Sequence, residues 1–133
     1  MGKSILVVDD SSSVRNFINV SLSMQGFNVV VATDGMDALE KLPGRLFDLV
    51  ITDLNMPNLD GFELIAALRE MPEYKTVPII ILTTLTDSES RERGASLGID
   101  SYLIKPFSTE KIQYEVAKYI SWYDETAIEE EHE

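Results

Sequence analysis

The 133-residue sequence contains no cysteine, which excludes a disulfide framework, thiolate metal ligation and thiol catalysis. Positive charge is also scarce: 11 Lys and Arg stand against 23 Asp and Glu, a formal net charge of -12. A duplex or an anionic membrane surface is repelled by such a molecule, so direct nucleic-acid binding is not expected. No apolar stretch approaches membrane-spanning length, and no N-terminal segment pairs a basic start with a long apolar run. Membrane insertion is therefore not expected, and a cytoplasmic setting is the simplest placement. The length fits one compact domain with a single core.

What the sequence does have is alternation. Short runs rich in valine and isoleucine at 4–8, 29–32, 49–52, 79–83 and 101–104 read as buried strands. Between them lie amphipathic stretches. After Asp10, the residues Val14, Phe17, Ile18 and Leu22 recur at helical spacing until Gly26 supplies a stop. Further helices are predicted over 35–42, with Pro43 and Gly44 breaking the chain, over 62–70, and over 88–97, stopped by Gly98. Ser108 is placed to cap a last helix whose face carries Ile112, Val116, Tyr119, Ile120 and Tyr123. Residues 1–123 are thus expected to form the domain, and 124–133, dense in Glu, an acidic tail or the start of a linker. Five strands alternating with five helices predict a doubly wound α/β fold: a five-stranded parallel sheet covered on both faces. Ligands in such sheets bind beyond the carboxyl ends of the strands.

Asp9 and Asp10 follow the first strand, Asp53 the third, Thr83 ends the fourth and Lys105 follows the fifth, so all five face one edge of the sheet. Singly, each has an ordinary reading: an Asp before a helix is usually a cap, and a Lys is usually solvated. Together, three carboxylates at one edge repel each other unless a cation offsets their charge. Carboxylates without neighbouring imidazole or thiolate favour a hard ion, and Mg²⁺ rather than Ca²⁺ because no DxDxDG loop is present. A metal beside a carboxylate, a Lys and a hydroxyl suits phosphoryl transfer, with Asp53 as the nucleophile.

The segments VVDD at 7–10, DLNMPNLDG at 53–61 and YLIKPF at 102–107 resemble the receiver domains of two-component response regulators, in the layout of the chemotaxis regulator CheY. The resemblance implies a (βα)5 flavodoxin-like fold with strand order 2-1-3-4-5. It implies that Asp53 takes a phosphoryl group from a phosphohistidine of a sensor histidine kinase or phosphotransfer protein. Asp10, Asp53 and the backbone carbonyl of Asn55 would hold Mg²⁺, with Asp9 acting through water. Lys105 would pair with Asp53 and then with the phosphoryl oxygens, while Thr83 would donate its hydroxyl and Thr84 its backbone N–H. A cis peptide between Lys105 and Pro106 is also implied. So is a switch in which Thr83 moves, Tyr102 takes the vacated space, and the face of the fourth helix, fifth strand and fifth helix changes for a downstream protein. Such a protein is a signalling switch that catalyses only its own phosphorylation and dephosphorylation, chemotaxis being one of the pathways that use it. One departure from fast-cycling relatives is Leu85, two positions after Thr83, where a polar or acidic group is common.

Three other readings meet obstacles. A phosphatase of the haloacid dehalogenase type needs a second Asp two positions after the nucleophile, where this chain has Asn55. A flavin carrier would set a phosphate at Ser11, Ser12 and Ser13, beside the repelling Asp9 and Asp10. An adaptor that has lost the chemistry would not need every one of these residues.

Overall fold

The computed structural model describes residues 2–84 and 88–120. Leu85, Trp122, Tyr123 and the acidic segment 124–133 lie outside the described residues. The elements run β1 (Ser4–Val8), α1 (Ser12–Ser23), β2 (Asn28–Ala32), α2 (Gly35–Glu40), β3 (Leu49–Asp53), α3 (Gly61–Arg69), a 3₁₀ turn (Pro72–Tyr74), β4 (Ile79–Thr83), α4 (Ser88–Ser96), β5 (Ser101–Ile104) and α5 (Thr109–Ala117). The strands form one parallel sheet in the order β2-β1-β3-β4-β5, as the resemblance implies.

Parallel strands covered on both faces need apolar residues at successive positions rather than alternate ones. β3 and β4 are buried along their whole length, and β1 from Ile5 onward. The pleat then sorts the side chains. Leu6, Val8, Val50, Ile79 and Ile81 pack with Ala38 of α2 and Phe62, Ile65 and Leu68 of α3. Ile5, Val7, Leu49, Ile51, Ile80 and Leu82 pack with Ile18 and Leu22 of α1 and Ile112 and Val116 of α5. One core thus lies on each face of the sheet.

Several boundaries differ from the sequence pattern, most of them by one residue, and three of the differences bear on the site or the core. α2 stops at Glu40, with Lys41 as its C-cap, because the residue before Pro43 is disfavoured in helical geometry. β3 continues to Asp53, which pairs with Leu82 of β4, so this carboxylate is the last residue of the strand rather than the first beyond it. Regular α5 ends at Ala117, yet Tyr119 and Ile120 still pack against the α1–α5 core. The turn Pro72–Tyr74 had no distinct signal in the sequence, and it seats Tyr74 in the core at 2% exposure.

Candidate functional site

Strand order reverses between β1 and β3, with β2 on one side and β4 on the other. This is the position at which doubly wound sheets open a crevice beyond their carboxyl ends. The register then fixes the level of each side chain. Val8 lies opposite Thr52, which sets Asp9 beside Asp53. Thr83 lies opposite Ile104, which brings Lys105 to the same edge. Four of the residues singled out in the sequence therefore arrive together through strand pairing.

Asp9 is fully buried, and Asp53 keeps 7% exposure. One oxygen from each of Asp9, Asp10 and Asp53 lies within 4.8 Å of the others, Asp10 being exposed. The ammonium of Lys105 stands 2.9 Å from Asp9 Oδ2 and 3.4 Å from Asp53 Oδ2. It thus bridges the two carboxylates and lies closer to Asp9. Asp53 Oδ1 accepts from the Leu54 backbone N–H at 2.8 Å, and Asp9 Oδ1 from that of Ser11 at 2.9 Å. Neither Asp9 nor Asp10 caps α1; Ser11 takes that role, accepting from the N–H of Val14 at 3.4 Å. Both carboxylates are thereby left for the crevice.

Burial, and then the neighbouring negative charge of Asp9, push the Asp53 carboxyl above its ordinary range against the pull of Lys105. Burial alone would lower Lys105, but its hydrogen bond to Asp9 and the field of Asp53 outweigh this and raise it. The pocket therefore holds more negative charge than one ammonium offsets. Three hard oxygen donors facing one space, one of them exposed, fit a small divalent cation by donor chemistry.

Thr83 is buried at 2% exposure, and its carbonyl accepts from the Lys105 backbone N–H at 2.9 Å. Thr84 and Asn55 are exposed on the loops following β4 and β3. Tyr102 is half-buried in β5, opposite Ile81. The Lys105–Pro106 peptide is cis.

Two supporting residues escaped the sequence reading. Arg15 of α1 donates to the Asp9 carbonyl at 2.7 Å and so ties the helix to the end of β1. Its spacing of six residues from Asp9 carries no local signal. Gly61 lies in the segment 53–61, but its role shows only in packing. A Cβ there would overlap the Asp53 carbonyl and lie 2.9 Å from Leu54 Cα, so only glycine lets α3 start this close to the end of β3.

A family model described as the response regulator receiver domain matches residues 5–117. The probable transcriptional regulator ycf27 of Guillardia theta is 40% identical over 111 residues, which are 84% of this chain and 42% of that protein. The chain spans about half the length, or less, of the first curated relatives it matches. Among solved structures, the chemotaxis protein CheY4 of Vibrio cholerae matches with a TM-score of 0.87 and 37% identity, covering 90% of this chain and 100% of that one. The receiver domain of sensor histidine kinase PA1611 from Pseudomonas aeruginosa PAO1, with a magnesium ion coordinated in its active-site cleft, matches at TM-score 0.81 and 28% identity, over 90% of this chain and 98% of that one.

Proposed function

The chain belongs to the response regulator receiver family, and on that premise we propose that Asp53 is its phosphoryl acceptor, with a phosphohistidine of a sensor kinase or phosphotransfer protein as donor. The observation that carries the reading is the Lys105 ammonium bridging Asp9 and Asp53 at 2.9 and 3.4 Å, beside a three-carboxylate cluster at the sheet's carboxyl edge. In the transfer, an Asp53 carboxylate oxygen attacks phosphorus. The P–O bond forms as the P–N bond breaks, and the imidazole leaves with the electron pair and takes up a proton.

The chain's own groups act by position and charge. Lys105, already between the two carboxylates, moves from pairing with Asp53 to neutralising the phosphoryl oxygens. Thr83 donates its hydroxyl and Thr84 its backbone N–H to the same oxygens. Asp10, Asp53 and the Asn55 carbonyl would hold Mg²⁺, with Asp9 acting through water. When bound, the ion supplies the positive charge that the acidic cluster lacks. Tyr102 then follows Thr83, and the face of α4, β5 and α5 changes for a downstream protein. The protein catalyses its own phosphorylation and dephosphorylation and acts on no other substrate. Among the described residues, no helix is long and apolar enough to cross a membrane.

Mass spectrometry after incubation with acetyl phosphate and Mg²⁺ tests the assignment. Wild type is expected to gain one phosphoryl adduct and Asp53→Ala none. An unchanged adduct in the variant would move the acceptor to another residue.

A further inference from the structure

α4 carries a glycine in its last two turns, Gly94, although glycine is the poorest helix former apart from proline. Its Cα is buried. A Cβ built on it would overlap the hydroxyl of Tyr102, lie 3.1 Å from Tyr102 Cζ and 2.5 Å from Ile99 Cδ1. The end of the Tyr102 phenol therefore occupies a notch that exists only because residue 94 has no side chain. Any larger residue and the phenol cannot share that volume.

The surroundings make the notch mechanically informative. Arg69 of α3 fixes the C-terminal end of α4: its Nε donates to the Leu97 carbonyl at 3.1 Å and its Nη2 to that of Gly98 at 2.7 Å. The same guanidinium donates to the Tyr74 and Val77 carbonyls, each at 2.9 Å, which anchors it to the segment entering β4. Arg93, next to Gly94, lies with its guanidinium 4.4 Å over the Phe62 ring of α3. With that end held, filling or emptying the notch acts on the part of α4 toward its start, five residues after Thr83.

We infer that Gly94 is a positioning residue of the switch, the point at which α4 senses whether the Tyr102 phenol is seated against it. The inference rests on the reading of Tyr102 as a switch residue. α4 and the phenol are two occupants of one space, so a shift of Tyr102 along the path from Thr83 must be matched by a shift of the helix. β5 carries the same coupling toward the acceptor, because Lys105 follows Tyr102 by three residues and its backbone N–H is bonded to the Thr83 carbonyl at 2.9 Å.

Gly94→Ala tests this in two backgrounds. Alanine is the better helix former, so without a steric conflict it raises the thermal midpoint. The expected outcome is a lower midpoint when Gly94→Ala is made in the wild-type chain and a higher one when it is made in Tyr102→Ala, where Ile99 also gains room to move. In protein labelled with 3-fluorotyrosine, the ¹⁹F resonance that disappears in Tyr102→Phe should be displaced in Gly94→Ala. On addition of acetyl phosphate and Mg²⁺ that resonance should shift in wild type and stay fixed in Gly94→Ala, while both proteins show the same mass adduct. A higher midpoint in both backgrounds, an undisplaced Tyr102 resonance, or a wild-type response in Gly94→Ala would overturn the inference. Absence of the adduct from both proteins would instead overturn the acceptor reading, and the midpoints and resonances would still decide the notch.

Discussion

Asp53 is a carboxylate placed where its own fold disfavours its charge. It is 7% exposed, beside a fully buried Asp9, and its carboxyl is pushed up by burial and by that neighbour. Lys105 offsets part of the conflict but is shared, and it stands closer to Asp9. Under the proposed function, this excess of negative charge would attract a divalent cation, and the cation together with Lys105 would offset the charge of a phosphoryl group. The arrangement also predicts that Asp53→Asn is more stable than wild type without Mg²⁺, by on the order of 1 kcal/mol, since the amide removes the repulsion. The Leu54 N–H still has an oxygen to bond, and Lys105 keeps Asp9. The same variant should lose most of the stabilisation that Mg²⁺ gives wild type. Urea titrations of both proteins with and without Mg²⁺ measure this; equal Mg²⁺ stabilisation of the two would show that Asp53 does not face the ion.

Among the elements, α3 packs directly on the end of β3, the strand that carries Asp53. It begins with a reciprocal cap in which Asp60 Oδ1 accepts from the Glu63 N–H at 2.8 Å and Glu63 Oε1 accepts from the Asp60 N–H at 3.0 Å. Its first residue, Gly61, donates to the Leu54 carbonyl at 3.0 Å and packs directly on the Asp53 backbone. Asp60→Ala is expected to lower stability by about 1 kcal/mol, as loss of an N-cap does. It should also slow acetyl phosphate labelling of Asp53 through a less fixed strand end. Chemical denaturation and a labelling time course on one preparation check both; stability that falls with no change in labelling rate would confine the cap to a folding role. The sequence pattern placed this helix over 62–70 without identifying its cap. The closeness of α3 to Asp53 was not legible at all, because it depends on two segments meeting in space.

At the scale of the whole molecule, the excess of acidic charge makes local pairing of carboxylates consequential for stability against pH. Burial would raise Glu115, but bonds from Lys111 at 3.0 Å and Lys118 at 3.1 Å outweigh it and lower its pKa. With a folded value below the unfolded one, near 4.3, its contribution is complete above that pH and is lost as pH falls through the folded value. Both lysines are about half exposed, so the contribution is discounted to about 1 kcal/mol. Glu115→Gln should therefore be less stable than wild type by that amount at pH 7, the difference vanishing as pH falls below the folded value, as read from urea midpoints across that range; a difference that persists at low pH would assign the effect to packing. Asp53 works in the opposite sense, since its raised value favours the fold at low pH and penalises it once pH rises past the unfolded value. The sequence by itself determined the alternation of strands and helices and the presence of carboxylates, a hydroxyl and a lysine at strand ends, because side-chain periodicity and breaker residues act locally along the chain. Tertiary structure alone decided that Lys105 bonds Asp9, 96 residues away, more closely than Asp53. It alone decided that Arg15 ties α1 to β1 and that Gly61 and Gly94 leave room for a carbonyl and a phenol. Those distances follow from strand register and from the packing of helices on the sheet, which no local pattern encodes.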